Sequence, residues 1–403
     1  MTRTALETVL VVIAAQMMAM AQQFVMYAPG GDDTSVQRID PIIAPGGISA
    51  HVHQIFGADM LSSTLDYDSL QTASCTTVGS ADFQGIAADR SIYWHPALYM
   101  QSREGSKGYL RVPTNGHKLY YLDVGIGEKA QPFEFKHGFR MLAGDPFARS
   151  PTGSKAVVWK CFEGGSYITG DDGGFPRGVN TCSDYPYLYA SVEFPHCWNG
   201  REYDPEDAQA HMAYPHGDVR SGACPASHPL RLPHLFVENF FDIDKLAGKT
   251  GPDSFVLAQG DDTGYGMHQD FFNGWEDGAL PSLLSTCPQP AYGNEDVGTC
   301  SAFRSSGAAT ACSLPVQYKE NVDSPGPFLP GCNPILDADP APRVAVAPLG
   351  YSGDDCRAEN VTNSKWRFIS REGLPSRPRQ RSSRHSLPSG RRENSTPASF
   401  SSP

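Results

Sequence analysis

The chemistry-bearing residues of this chain gather in GDDTGYGMHQDFFNGW, Gly260 to Trp275, which packs glycines, acids, a His-x-Asp pair and aromatics into one short run. Read as a strand, MHQDFF alternates, so His268 and Asp270 share one face while Met267, Gln269 and Phe271 take the other. An imidazole paired with a carboxylate suits acid–base chemistry, because the carboxylate orients the ring and favours its charged form. Gly264 and Gly266 let the preceding loop bend tightly, and Tyr265 and Trp275 are placed to wall a pocket. The same device recurs in ISAHVHQIF, where a strand sets His51 and His53 on one face with Ile55. Two imidazoles on one strand face suit a metal or a substrate. The two pairs are expected to share a cleft, with His53, His268 and Asp270 catalytic and His51, Tyr265 and Trp275 contacting substrate. In the competing reading these side chains only satisfy buried backbone and the glycines only make turns.

Histidines are also dense between Val192 and Asp242, at 196, 211, 216, 228 and 234, mostly beside Pro, Cys or Gly and so at element ends. His211 and His228 join the expected substrate contacts. Cys197 and Cys224 bracket this loop and form the first disulfide to expect. Glycoside hydrolysis usually needs two carboxylates, for which Asp270, Asp123 and Glu238 are the candidates. Asp145, before Pro146, is read as a turn former.

The positioning elements follow from composition. Gly 40 and Pro 33 in 403 residues argue for turns and short strands over long helices. ADRSIYWHPALYM, HKLYYLDVGI and LPHLFVENFFD read as strands, the first bent at Pro96. The expected fold is mainly β, a compact sandwich-like domain with long Gly/Pro loops and disulfides. A net charge of −12 argues against a nucleic-acid binder, which tracks phosphates with clustered Lys and Arg.

Residues 1–21 read as a secretory signal: Arg3, an apolar TVLVVIAA core and an Ala19-Met20-Ala21 cleavage pattern. The apolar run is too short for a transmembrane anchor. Secretion makes the ten cysteines a disulfide framework of up to five bridges. Asn360 and Asn394 open glycosylation sequons. The expected domain spans 38–290, followed by a Cys-containing extension over 291–356 and a disordered basic tail over 371–403.

RIDPIIAPGGISAHVHQIFG, ADRSIYWHPALY, FRMLAGDP, CWNG with HMAYP and CPASHPLRLPHLFVE, and the 260–275 run occur in the order seen in a family of secreted fungal proteins. The resemblance, over about Arg38 to Cys287, is to a numbered domain of unknown function often followed by WSC sugar-binding modules. It implies a secreted, carbohydrate-associated protein and brings no catalytic residues. This chain lacks the cysteine that members carry before RIDP and lacks a WSC module. The expected function is a hydrolase or lyase acting on an extracellular or cell-wall polysaccharide through a His/Asp site, and the alternative is a non-catalytic glycan-binding module. The site is expected to be free of metal and cofactor, with His53 and His268 moving protons, because no HExxH-like signature fixes a ligand set.

Overall fold

Alternation along each strand sorts side chains onto two faces, and the architecture follows from what each face must bury. The structure is a computed structural model. It describes residues 22–356 apart from 31–34, 82, 105–107, 125–132, 154–155, 186, 288, 291–295, 324–325 and 352–355. The signal segment, both sequons and the basic tail lie outside the described residues. A ten-stranded sheet is centred on the antiparallel strands Val157–Glu163, Leu188–Glu193, His234–Phe241, Thr114–Asp123 and Gln22–Ala28. A five-stranded sheet runs in the order Arg140–Gly144, His268–Phe272, Ile92–Pro96, His53–Gly57 and Ser35–Gln37.

These two sheets make the sandwich. Phe56, Tyr93, Met141 and Phe271 of the smaller sheet join one core with Phe24, Met26, Leu119 and Tyr121 of the larger. The Tyr93 and Tyr121 hydroxyls meet at 2.6 Å across it. The other face of the smaller sheet carries Ile55, Ile92, Trp94 and Phe272, which a layer holding Ile39, Ile42, Leu61, Leu65 and Leu314 covers. With both faces covered, every residue of His53–Gly57, Ile92–Pro96 and His268–Phe272 is buried. Each large apolar side chain sealed this way contributes roughly 1.5–3 kcal/mol.

The mainly β, sandwich-like expectation matches this fold. The aromatic run becomes two strands, Ile92–Pro96 and Leu98–Ser102, separated at Ala97, and Tyr93, Trp94 and Tyr99 all enter the interior. All ten cysteines pair, as 75–312, 161–182, 197–224, 287–300 and 332–356, including the expected Cys197–Cys224. Among the described residues, no helix is long and apolar enough to cross a membrane.

The extension is less loose than its composition suggests. Cys75–Cys312 ties it to the domain across 237 residues of sequence, a closure that the chain-entropy argument values at up to about 5 kcal/mol. Its residues 314–323 and 326–348 run as a strap, against the smaller sheet's loops at Gln37 and Arg38 and against the Leu98–Ser102 and Tyr109–Arg111 strands. Glu320 pairs with the fully buried Arg38 at 2.7 Å, and Arg38 also donates to the carbonyls of Ala347 and Pro348.

Candidate active site

Three imidazoles meet at one end of the smaller sheet's inner strands. His53 opens one strand and His268 another, with Ile92–Pro96 between them. His53 lies opposite Pro96. The register that pairs Asp270 with Trp94, carried two residues further, brings His268 to the other side of the same proline. The His53 and His268 rings stand 5.9 Å apart, nearly perpendicular to each other. His51 lies in the loop just before the strand, partly exposed, instead of on the strand where alternation placed it. Its ring still closes the group: His51 Nε2 is 3.2 Å from His268 Nε2, and one ligand nitrogen from each ring lies within 4.8 Å of the others.

Neighbouring backbone fixes two of these rings. His53 Nδ1 donates to the Ile39 carbonyl and His268 Nδ1 to the Gly266 carbonyl, each at 2.9 Å. A carbonyl only accepts, so each bond sets the tautomer and leaves a lone pair on Nε2. The glycine-rich loop exists to present that second carbonyl. Asp261 accepts from the Thr263 amide and hydroxyl and from the Gly266 amide, which folds 261–266 into a compact turn. Gly264 sits at φ +86°, where a Cβ would fall 2.6 Å from the Phe175 nitrogen, so only glycine fits. Gln259 Nε2 donates to the same Gly266 carbonyl.

Burial sets the electrostatics. It pushes all three imidazoles down, His268 to about 4 and His51 and His53 well below the usual range, with the adjacent rings adding to the shift for the latter two. The trio is therefore neutral. Asp270 is fully buried with no hydrogen-bond partner on either oxygen among the described residues, and burial with the nearby Asp40 raises its pKa well above the carboxylate range. Asp40, raised by burial to about 6, accepts from the Ile42 and Ile43 amides.

His51 and His268 face a cleft walled by Asp40, Ile43, Leu142, Phe147 and Arg149 on one side and by strap residues including Leu336 on the other. His53 and Asp270 stand behind this surface. Arg149 is buried, donating to the Leu336, Pro146 and Ala148 carbonyls with Asp261 3.7 Å away.

The other expected contacts lie elsewhere. Trp275 is 3% exposed in the main core, its indole nitrogen donating to the Tyr121 hydroxyl, so it supports the fold and lies outside the cleft. Tyr265 lines a neighbouring depression with Asp145, Asp172 and Gln209. His211 Nε2 is held by the Arg140 carbonyl and His228 Nε2 by the Ala210 carbonyl, and neither lines the cleft. Asp123 and Glu238 belong to the ten-stranded sheet, where Glu238 accepts from Tyr120, so they make no carboxylate pair with Asp270. Sequence reasoning missed Asp40, Arg149 and the strap. Asp40 stands in the RIDP motif, whereas Arg149 and the strap join the cleft through backbone carbonyls that leave no residue signature.

Fold and site together define a disulfide-stapled β-sandwich protein with a polar centre set in a cleft. Its family is shown by sequence: residues 40–275 match the model of the Domain of unknown function (DUF1996), and the chain belongs to that family. Among curated proteins and among solved structures no significant match is found.

Proposed function

We propose that this protein is a secreted enzyme that cleaves an extracellular or cell-wall polysaccharide, with the His51–His53–His268 cleft as its active site. The observation that carries the reading is the convergence of three neutral imidazoles, two held in a set tautomer, where a cleft meets one end of the smaller sheet's inner strands. A sugar-binding platform needs flat exposed aromatics, while the aromatics of this chain's motifs are largely drawn into the core. The secreted setting is supported by five disulfides. A glycan substrate is supported by the resemblance drawn from the sequence motifs.

A pair of well-separated acidic side chains is the usual equipment of glycoside hydrolysis, and the expected partners of Asp270 lie on the other sheet. The reading therefore rests on the imidazole centre. The test is to incubate the disulfide-bonded protein with a panel of wall polysaccharides and follow released oligosaccharides by mass spectrometry. Release that disappears in His268→Ala, with the thermal transition retained, supports it. Retention of a polysaccharide without release from any of them replaces it with the binding-module reading.

A further inference from the structure

We infer that His51, His53 and His268 are the protein ligands of one divalent transition-metal ion of the zinc class, with a fourth position open to the cleft. This deepens the active-site reading and rests on it for the purpose of the cleft, though not for metal binding itself. It also departs from the metal-free expectation, for reasons that lie in geometry the sequence does not display.

The first reason is the tautomers. The bonds from Nδ1 to the Ile39 and Gly266 carbonyls leave both Nε2 atoms as lone-pair donors, the arrangement in which a metal-binding histidine is oriented by its other nitrogen. Among the described residues His53 Nε2 is buried and has no hydrogen-bond partner, an orphan acceptor whose burial is unfavourable unless something binds it.

The second reason is spacing. Four ligands at about 2.0–2.1 Å around tetrahedral zinc stand about 3.3–3.4 Å apart. His51 Nε2 and His268 Nε2 are 3.2 Å apart. The ligand nitrogens of all three rings lie within 4.8 Å of one another. The rings are mutually inclined by 57°, 87° and 85°, so they fan around a point and do not stack.

The third reason is contrast within the same molecule. His196 and His234 stack at 18° with 4.3 Å between centroids, but Arg231 meets His196 Nε2 at 2.6 Å and Glu193 meets His234 Nε2 at 2.9 Å. That pair is occupied by protein groups. His95 and His117 both have an Nε2 without a partner, but both are fully buried between the sheets and supply only two donors.

Donor type selects the ion. Three imidazoles with no thiolate suit zinc or copper, and hard oxygen-seeking ions such as calcium are disfavoured. Asp40 stands in the cleft wall as the acidic side chain on the same surface as His51 and His268. Arg149 and Arg343 are the opposing charges in the cleft, and Asp261 faces Arg149.

The test uses the whole disulfide-bonded protein, stripped with chelator, dialysed and titrated with zinc chloride by calorimetry, with bound metal counted by mass spectrometry. One zinc per chain is expected. His51→Ala and His268→Ala should each weaken binding by more than the 10–100-fold that loss of an outer partner costs. The exposed His137→Ala should bind as the wild type does. His51 is the least buried of the three, so its variant keeps the test open if His268→Ala does not fold. Zinc should raise the thermal transition of the wild type and leave that of His51→Ala unmoved. Absence of stoichiometric zinc, or equal affinity in wild type and His51→Ala, overturns the inference. Zinc bound at these residues without cleavage of any polysaccharide sinks the enzyme reading alone, and cleavage by protein that takes up no zinc sinks the metal alone.

Discussion

Asp270 lies in an environment that a stable protein has no reason to build. Its carboxyl is sealed from solvent with no hydrogen-bond partner for either oxygen among the described residues, and Trp94, directly opposite on the next strand, has an indole nitrogen that is also unpartnered among them. A buried polar group left unpaired costs about 1–3 kcal/mol. Asp270→Leu should therefore raise the urea midpoint, by an amount worth about 1–3 kcal/mol, while lowering polysaccharide release. A fall in stability would mean that the carboxyl has a structural role. Alternation in HQDFF was enough to set His268 and Asp270 on one face. It could not show that they occupy successive rows, one beside Pro96 and one beside Trp94, because register belongs to the partner strand. The burial of Trp275 is hidden for a related reason: a Trp next to a glycine-rich loop has the same local sequence whether its ring turns outward or toward Tyr121.

At the scale of elements, two loops and the strap determine whether the trio is assembled. Asp261 holds the 261–266 turn by accepting three hydrogen bonds, so Asp261→Ala should weaken zinc binding about 10–100-fold. Circular dichroism should show the sheets retained, and unchanged affinity would remove the turn from the argument. The strap acts through Glu320. Removing one partner of a buried ion pair costs about 3–5 kcal/mol because the other charge is stranded. Glu320→Ala should lower stability by that order and expose the 38–50 loop to limited proteolysis. The strands around the site were readable from their alternation, to within a few residues at each end. The strap was not, since its grip on Arg38 and Arg149 runs largely through carbonyls of Ala347, Pro348 and Leu336, and any residue provides a carbonyl.

Across the whole molecule, buried imidazoles set the response to acid. Burial lowers His51, His53, His95, His117, His196, His211 and His268. A group lowered in the folded state takes up its proton first in the unfolded chain. Its contribution to stability is complete above about pH 6.5 and is lost as pH falls toward the folded value, which for His117 is about 4. Asp40, Asp89, Glu238, Asp261 and Asp270 are raised and work the other way, losing their contribution as pH rises through the folded value, which is about 6 for Asp40 and Asp89. Near pH 6 the imidazoles prevail, because the unfolded histidines are already binding protons while Asp40 and Asp89 are half ionised. Denaturation midpoints measured from pH 7 to pH 5 should fall steeply with acid. His117→Gln, remote from the cleft, should make the slope shallower by up to about 1.4 kcal/mol per pH unit, and a slope identical to wild type would contradict this account.

The family match ends at residue 275, yet part of the cleft wall comes from residues 336 to 346. The imidazole centre and part of the wall around it thus sit on different stretches of chain, the first at the ends of two sheet strands and the second on an irregular ribbon anchored at Arg38, Arg149 and Cys332. On the proposed reading, substitutions in the ribbon change what the cleft accepts and leave the centre in place. A chain cut at the family boundary would keep all three imidazoles and lose one part of the wall that encloses them.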